Sequence, residues 1–468
     1  MLTPSKFETA PTKEAATSTK VTEVSKDAET DRSIGTVNDY IQSTTGLSVG
    51  TLAEYYGEDL YFEGTPEDDD YAGRHGDDIM RGSDGADRFD GSYGVDTADY
   101  SNSPESVVIN LRLGTLEPDP RADYAPVNNA QSGGYAEGDI LINVENVIGT
   151  QFDDRFSGNE SDNRFEGGDG NDTFRLDGGS DTYLGGGDFD TLIVDGTGAT
   201  INLMTGTGSG GVAEGDHYDS IEAVVLDGAD NTVIGSNSAD TVTVNRWGST
   251  LEMNGGADTI NYDIITEYHA SIDGGSGIDT IDFSGSGDSL GININLHDGT
   301  FAFIGGGVIG IPTGDGPGLI ENVENVVGTS SDDVIWDDKN VNTFTGGDGQ
   351  DVFVFHHTGY GEIDRITDFE AGVDRIDLTD VKINELLLSV PNPYSMLGLP
   401  SNNPTVDTML DFLYLARDLN LDGGKFDGLA FLEQDGDDVI VHTDFGRGNA
   451  VRLDDVQVTD LGNFDFIL

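Results

Sequence analysis

A nine-residue period constrains this chain more than any other feature of its sequence. Its clearest copies are GGDGNDTFR at 167–175 and GGDGQDVFV at 346–354. Both begin with glycines, carry aspartate at the sixth position and place phenylalanine at the eighth. Glycine permits the positive φ angles of a tight turn, and one inward apolar residue per copy is typical of a short strand. The period therefore predicts a turn of about six residues followed by a strand of about three.

The period recurs in four runs. The first covers residues 64–99 and the second 149–193, the third is degenerate and includes 235–243, 253–261 and 274–282, and the fourth covers 328–354. Residues at the eighth position should point into a core. In the first two runs they are Tyr71, Met80, Phe89, Ala98, Phe156, Phe165, Phe174, Tyr183 and Leu192.

The sixth-position aspartates are the candidate metal ligands. Two copies make one coil, so like turns should stack at strand spacing, roughly 4.8 Å. Carboxylates so aligned repel one another unless a cation lies between them, and oxygen-only ligands favour Ca²⁺ over zinc, copper or magnesium. We expect Asp69 to pair with Asp87, Asp78 with Asp96, Asp154 with Asp172, Asp172 with Asp190, and Asp333 with Asp351. The full candidate set is Asp69, Asp78, Asp87, Asp96, Asp154, Asp172, Asp181, Asp190, Asp240, Asp258, Asp279, Asp333 and Asp351.

The charge balance agrees with a cation-binding chain. There are 22 Lys and Arg against 88 Asp and Glu, a formal net charge of -66. This repulsion opposes compaction unless cations neutralise it, and it makes nucleic acid and anionic membranes poor partners. The 21 Phe and 16 Tyr residues argue against a disordered acidic chain. The chain has no cysteine, and we expect no transmembrane segment and no Sec signal peptide.

With these residues in view, the chain resembles a known family. The two clearest copies resemble the repeats-in-toxin (RTX) calcium-binding nonapeptide, G-G-x-G-x-D-x-U-x. DRITDFEAGVDRIDL at 364–378 and the final DFIL at 465–468 resemble the C-terminus of serralysin-like proteins exported by type I secretion. The resemblance implies a parallel β-roll, export by the type I secretion machinery and folding outside the cell on calcium.

The chain departs from the family pattern at three places. Asn163 and Asn342 replace the sixth-position aspartate, and LDGGSDTYL at 176–184 lacks the first glycine. The third run also loses register between 262 and 273. We expect fewer and weaker calcium sites at these copies.

A longer repeat indicates the domain organisation. I-N-L occurs at 109–111, 201–203 and 294–296, and the phrases VENVIGTQFDD at 144–154 and VENVVGTSSDD at 323–333 nearly match. Duplication of a module explains this repetition. We predict an all-β fold, a parallel β-roll in about three modules with a small C-terminal β-rich secretion domain containing a short helix near 403–413. The predicted segments are a polar N-terminal stretch at 1–50, modules at 51–148, 149–227 and 228–327, a fourth run with its cap at 328–380, and the secretion domain at 381–468.

Three other motifs in the sequence bear on metal binding or catalysis. Residues 418–423 match the first half of an EF-hand loop, but Leu429 stands where the bidentate glutamate belongs; either a calcium site or an Asx-rich turn fits. Residues 287–291 satisfy G-x-S-x-G, yet the following residues continue as a strand rather than the helix of a nucleophile elbow. The zinc motif H-E-x-x-H is absent, and His356 with His357 is read as a surface or edge pair. We recognise no catalytic motif.

The leading hypothesis is a secreted calcium-binding repeat protein with a structural, adhesive or surface-associated role. Its expected partners are calcium ions, the type I secretion machinery and a cell-surface or polysaccharide ligand. The alternative is a polysaccharide-modifying enzyme of epimerase or lyase type, with its site on the solenoid itself.

Overall fold

The computed structural model describes the greater part of the repeat region. The described residues are 20–24, 58–112, 131–264, 270–287, 290–304, 317–356, 363–379, 385–387, 429–442, 450–462 and 464–467. Within these ranges the only helical elements are single 3-10 turns, at Gly134–Ala136, Gly211–Ala213, Ser284–Ser286 and Val458–Asp460. No helix in the described part is long and apolar enough to cross a membrane. The predicted all-β fold is confirmed.

The strands are short, and most contain three to five residues. In the first part of the chain they are β1 (Lys20–Val24), β2 (Asp59–Glu63), β3 (Asp70–Ala72), β4 (Ile79–Arg81), β5 (Arg88–Asp90), β6 (Thr97–Asp99), β7 (Val108–Asn110), β8 (Ile140–Ile142), β9 (Asn146–Ile148), β10 (Arg155–Ser157), β11 (Arg164–Gly168), β12 (Thr173–Arg175), β13 (Thr182–Gly186) and β14 (Thr191–Val194). In the middle they are β15 (Thr200–Asn202), β16 (Thr207–Ser209), β17 (His217–Asp219), β18 (Ala223–Leu226), β19 (Thr232–Ile234), β20 (Thr241–Val244), β21 (Thr250–Glu252), β22 (Gly255–Gly256), β23 (Thr259–Tyr262), β24 (Ser271–Asp273), β25 (Ser276–Gly277), β26 (Thr280–Asp282) and β27 (Gly291–Asn295). In the last part they are β28 (Thr300–Ile304), β29 (Gly318–Glu321), β30 (Asn325–Val327), β31 (Val334–Trp336), β32 (Thr343–Thr345), β33 (Val352–Val354), β34 (Ile363–Ile366), β35 (Arg375–Asp377), β36 (Glu385–Leu387), β37 (Leu429–Asp435), β38 (Asp438–His442), β39 (Ala450–Leu453) and β40 (Phe466–Ile467).

The chain divides into two compact units. The N-terminal unit comprises Met1–Thr191 and Asp216–Ile221, and the C-terminal unit comprises Leu192–Gly215 and Glu222–Leu468. The finer division into six segments stays a prediction.

Parallel strands stack in the N-terminal unit with an offset of two nonapeptides. Phe156 in β10 lies opposite Phe174 in β12, and Phe165 in β11 lies opposite Tyr183 in β13. Strands β2, β4, β6, β9, β11, β13 and β17 follow one another in parallel along one sheet, β3, β5 and β8 form a three-stranded sheet, and β7, β10 and β12 pair in parallel within a further, larger sheet. The predicted coil of two repeats is confirmed.

The eighth-position side chains build the core of the N-terminal unit. Met80, Phe89, Phe156, Phe165 and Phe174 have no exposed surface. The rings of Phe156 and Phe174 stack with centroids 5.3 Å apart. Each such side chain contributes about 1.5–3 kcal/mol by leaving water, so a regular row of them can hold one sheet against another.

The C-terminal unit follows the same plan, and several of its coils are longer than 18 residues, including one in the third run. Val242 in β20 lies opposite Ile260 in β23, an offset of 18, whereas Asp258 bonds to Asp279, an offset of 21. Leu251 in β21 pairs with Ile272 in β24 at the same longer offset. The lost register in the third run is therefore absorbed as one coil that is three residues longer, and the stacking continues through it.

The last described strands pair in both parallel and antiparallel directions. β34 pairs in parallel with β39, β38 pairs antiparallel with β39, and β35 pairs in parallel with β40. The predicted helix near 403–413, the half-motif at 418–423, Ser289 and His357 lie outside the described residues. His356 stacks on Trp336 with ring centroids 4.8 Å apart and on His297 at 5.2 Å.

Candidate metal centre

The sixth-position aspartates stack along the turns in rows, which we call files. In each file the backbone N–H of one aspartate donates to Oδ1 of the aspartate one coil later. All five expected pairs are such neighbours, with N–Oδ1 distances of 2.8 Å: Asp69 with Asp87, Asp78 with Asp96, Asp154 with Asp172, Asp172 with Asp190, and Asp333 with Asp351. The third run is also in line, since Asp240 bonds to Asp258 and Asp258 to Asp279 at 2.8 Å.

These carboxylates are buried, which is unusual for a charged group without a counter-ion. Of the thirteen candidates only Asp69 keeps intermediate exposure, and the other twelve are at most 3% exposed. Burial raises the pKa of Asp96 to about 7 and the pKa values of Asp172 and Asp351 to about 8. Neighbouring aspartates add to this effect, and the backbone N–H donors only partly offset it. Near neutral pH these side chains need either a proton or a cation.

The second carboxylate oxygen divides the candidates into classes. In six turns, which we call the open turns, Oδ2 is buried and has no hydrogen-bond partner within the described structure. The open turns are those of Asp78, Asp96, Asp172, Asp258, Asp279 and Asp351. A buried charged oxygen left unpaired costs more than the 1–3 kcal/mol of a neutral group, so these six positions call for a ligand.

In a second class of turn, a threonine or serine donates a hydrogen bond to Oδ2 of the aspartate. Thr150 donates its N–H to Oδ2 of Asp154 at 2.5 Å and its hydroxyl to Oδ1 at 3.0 Å. Ser236 makes the same contacts to Asp240 and Thr329 to Asp333, whereas Thr65 donates both its N–H and its hydroxyl to Oδ2 of Asp69. Each of these aspartates begins one of the four runs. We call these the capped turns.

Tyrosine supplies the partner in a third class. The Tyr183 hydroxyl donates to Oδ2 of Asp181 at 3.0 Å. Tyr100 and Tyr218 make the same bond to Asp139 and Asp216, at 2.8 and 3.2 Å. In these three carboxylates Oδ2 therefore has a hydrogen-bond partner, unlike in the open turns.

Glycine at the first position leaves room for a metal cradle in the open turns. A Cβ built on Gly167 would collide with Oδ2 of Asp172 and would lie 2.6 Å from the carbonyl oxygen of Gly185, one coil later. Gly73 stands in the same relation to Asp78 and to the Gly91 carbonyl, at 2.8 Å from the latter. A carboxylate oxygen and a backbone carbonyl thus converge on one space, and such a set of hard oxygens suits Ca²⁺.

Side chains alone do not complete such a site. In the part of the chain that the structure describes, no three His, Cys, Asp or Glu side chains come together as metal ligands. A cation at an open turn would therefore take most of its ligands from backbone carbonyls, which the glycines leave accessible. The residues present fit calcium and do not fit a metal that requires nitrogen or sulfur.

The two asparagine turns differ from the open turns. The Asn163 side-chain amide donates to the Glu145 carbonyl at 3.1 Å, and Asn342 donates to the Glu324 carbonyl at 3.2 Å. In both turns a side-chain N–H therefore binds a backbone carbonyl oxygen that could otherwise coordinate a cation. The expectation of fewer and weaker sites at these copies stays a prediction.

Sequence reasoning missed the carboxylates that continue the files beyond the repeats. Asp139 and Glu145 accept the backbone N–H groups of Asp87 and Asp96 at 2.7 and 2.9 Å. Likewise, Asp216 accepts the backbone N–H of Asp181, Glu324 accepts that of Asp279, and Asp374 accepts that of Asp351. A signal existed for some of them: the sequence AEGD precedes a short strand at both 136–139 and 213–216, and the two glutamates stand in the repeated VEN phrases.

Comparison with known proteins agrees with this geometry. The family model of the RTX calcium-binding nonapeptide repeat (4 copies) matches residues 63–99, 148–183 and 157–192, and that of the peptidase M10 serralysin C terminal matches residues 264–400. A solved structure, the extracellular lipase LipA from Serratia marcescens, aligns at 12% identity over 84% of this chain and 62% of its own, with a TM-score of 0.16. The chain thus spans less than two thirds of that lipase. A search of curated proteins found no match. By its repeats, its parallel coils and its C-terminal region, this chain is a secreted calcium-binding protein with RTX nonapeptide repeats and a serralysin-type secretion domain.

Proposed function

We propose that this protein acts outside the cell as a calcium-ordered structural component with an adhesive or surface-associated role. The observation that carries the proposal is the set of open turns, in which buried carboxylate oxygens of both units lack partners within the described structure. This arrangement concentrates the chemistry of the chain in cation binding rather than in a single catalytic cleft.

Calcium should occupy the open turns first. In a capped turn the threonine or serine already donates hydrogen bonds to the aspartate carboxylate. In a tyrosine turn the phenol hydroxyl does so. Oδ2 of Asp172 and Oδ2 of Asp351 accept no such hydrogen bond within the described structure. The pKa values of these two residues are raised the most among the sixth-position aspartates, to about 8. Strong coordination is therefore expected at Asp78, Asp96, Asp172, Asp258, Asp279 and Asp351.

Coupling between calcium and folding suits an exported chain. Without cations the net charge of -66 and the aligned carboxylates oppose the coiled state. A ligand that binds only the folded state stabilises that state by mass action. The chain would therefore stay extended where calcium is scarce and become ordered in a calcium-rich exterior.

Exposed aspartates at the fifth position of the repeat support an adhesive role. Asp153 Oδ1 accepts the N–H of Asn171 at 2.9 Å, and Asp332 Oδ1 accepts the N–H of Gln350 at 2.9 Å. These bonds are exposed, so both carboxylates lie on the outside of their turns. Such exposed carboxylates could share divalent cations with an anionic polymer. The stacked pair His75 and Tyr93, with Tyr93 70% exposed, adds a flat surface suited to a sugar ring.

The experiment is retention of the calcium-loaded full chain on immobilised polysaccharides. We expect retention on a uronic-acid polymer in calcium, release by chelator and little retention on neutral dextran. Equal behaviour on both resins would contradict the adhesive proposal.

The same polymers test the enzymatic alternative. After incubation with calcium-loaded protein, chain length, the ultraviolet absorbance of unsaturated uronate ends and the epimer ratio by NMR are measured. We expect an unchanged polymer. A turnover-dependent change in any of the three would favour the epimerase or lyase alternative.

A further inference from the structure

Asp177 is a buried carboxylate that the repeat pattern does not explain. It occupies the second position of LDGGSDTYL, where the repeat has glycine. It is only 4% exposed, and neither of its oxygens has a hydrogen-bond partner in the described structure. Burial raises its pKa to about 8, the charges of Asp181 and Asp216 contribute in the same direction, and the charges of Arg112 and Arg175 only partly oppose them. A side chain with this exposure and no partner indicates a missing ligand.

Asp177 points at the turn of Asn163, one coil earlier. A Cβ built on Gly158 would lie 2.6 Å from Asn163 Oδ1, 2.8 Å from Asp177 Oδ1 and 3.3 Å from Asp177 Oδ2. Three side-chain oxygens therefore converge on the face of Gly158. Only a glycine leaves that space open.

The same space in an open turn is bordered by a different pair of donors. At Gly167 the converging groups are the sixth-position carboxylate of Asp172 and the backbone carbonyl of Gly185. At Gly158 the sixth-position group is the neutral amide of Asn163, whose Oδ1 also accepts the N–H of Asn159 at 3.0 Å, and the group from the next coil is the carboxylate of Asp177. Both turns therefore present one carboxylate and one neutral oxygen. In the open turn the carboxylate comes from the sixth position, whereas at Gly158 it comes from the next coil. The two departures from the repeat, at 163 and at 177, thus compensate each other in charge.

We propose that Asn163 and Asp177 form a calcium site in which the carboxylate comes from the second position of the following coil. This site lies outside the set of sixth-position aspartates. The inference rests on calcium binding by the repeats and assigns one additional ion to the N-terminal unit. Asn163 Oδ1 and the Asp177 carboxylate supply hard oxygens of the kind that calcium prefers.

Native mass spectrometry of the full chain in calcium acetate counts the bound ions. We expect Asp177→Asn to bind one calcium ion fewer than the wild type. Glu160→Gln is the matched control, because Glu160 is an exposed carboxylate in the Asn163 turn itself, and it should bind the wild-type number. An unchanged count in Asp177→Asn would overturn the proposal.

Asn163→Asp decides the question even if Asp177→Asn folds poorly. If the wild-type site is occupied, adding a carboxylate leaves the number of ions unchanged; a gain of one ion would show that the wild-type turn is empty and would overturn the proposal. The double variant Asn163→Asp, Asp177→Asn restores the donor order of an open turn and should recover the ion lost in Asp177→Asn. A wild-type chain that binds no calcium would instead contradict calcium binding by the repeats as a whole.

Discussion

The backbone N–H of Asp154 donates to Oδ1 of Asp172, 18 residues later, at 2.8 Å. This bond connects one coil to the next. Oδ2 of the same Asp172 side chain is buried and has no hydrogen-bond partner within the described structure. One carboxylate therefore serves both the backbone and a cation. The two roles can be separated by substitution, because an asparagine keeps the acceptor oxygen and removes the charge.

Asp172→Asn should weaken calcium-dependent folding while it retains the bond to Asp154. We expect the calcium concentration at the midpoint of folding to rise by about tenfold, which corresponds to about 1.4 kcal/mol. Calcium titrations followed by far-ultraviolet circular dichroism measure this midpoint. Asp169→Asn is the control, since Asp169 is an exposed carboxylate in the same turn. Equal shifts for both variants would mean that total charge, rather than position, governs the effect.

Truncation of an inward side chain should destabilise the calcium-loaded fold. Phe174 is fully buried and stacks on Phe156, so Phe174→Ala is expected to lower the free energy of unfolding by about 3–5 kcal/mol. Phe189 lies at a turn with 44% of its surface exposed, and Phe189→Ala should change stability by less than about 0.5 kcal/mol. Urea unfolding in saturating calcium compares the two. A similar loss for both would argue against the assigned inward face.

A side chain at Gly168 should prevent close stacking of the coils. Gly168 has φ +121°, and a Cβ there would collide with the Thr150 carbonyl oxygen. Gly168→Ala should therefore lower the melting temperature in calcium clearly, by a strain of about 1–3 kcal/mol. A Cβ on Gly178 would meet nothing closer than 3.9 Å, so Gly178→Ala should be tolerated. Differential scanning calorimetry distinguishes the two, and equal melting temperatures would contradict the turn geometry.

Metal-free protein should be more stable in acid than at neutral pH. Burial raises the pKa of Asp172 and of Asp351 to about 8, so the folded chain binds more protons than the unfolded one. This contribution is fully present below the ordinary aspartate pKa and is lost as pH rises through the raised values. Circular dichroism of metal-stripped protein should show strand content at about pH 5 that declines towards about pH 8. Calcium should abolish the decline, whereas a gain of structure with rising pH in its absence would reverse the predicted sign.

The sequence was sufficient to predict the local unit and its stacking. The inward rows, the five aspartate pairs and the parallel coil follow from a period that each copy repeats. Glu145 and Asp139 could not be placed from the period, because insertions between coils bring them to the ends of the files. The exchange of roles between Asn163 and Asp177 was equally hidden, since it depends on contacts between successive coils. The third run shows the same limit: its longer coil, Leu251 opposite Ile272, becomes visible only in the pairing of the strands.

The most direct test of calcium-ordered folding is small-angle X-ray scattering of the intact chain near neutral pH. In millimolar calcium we predict a compact particle with a well-defined radius of gyration. In excess chelator the radius should increase towards that of an expanded polyelectrolyte and should return on adding calcium. An equally compact particle in both solutions would contradict the account.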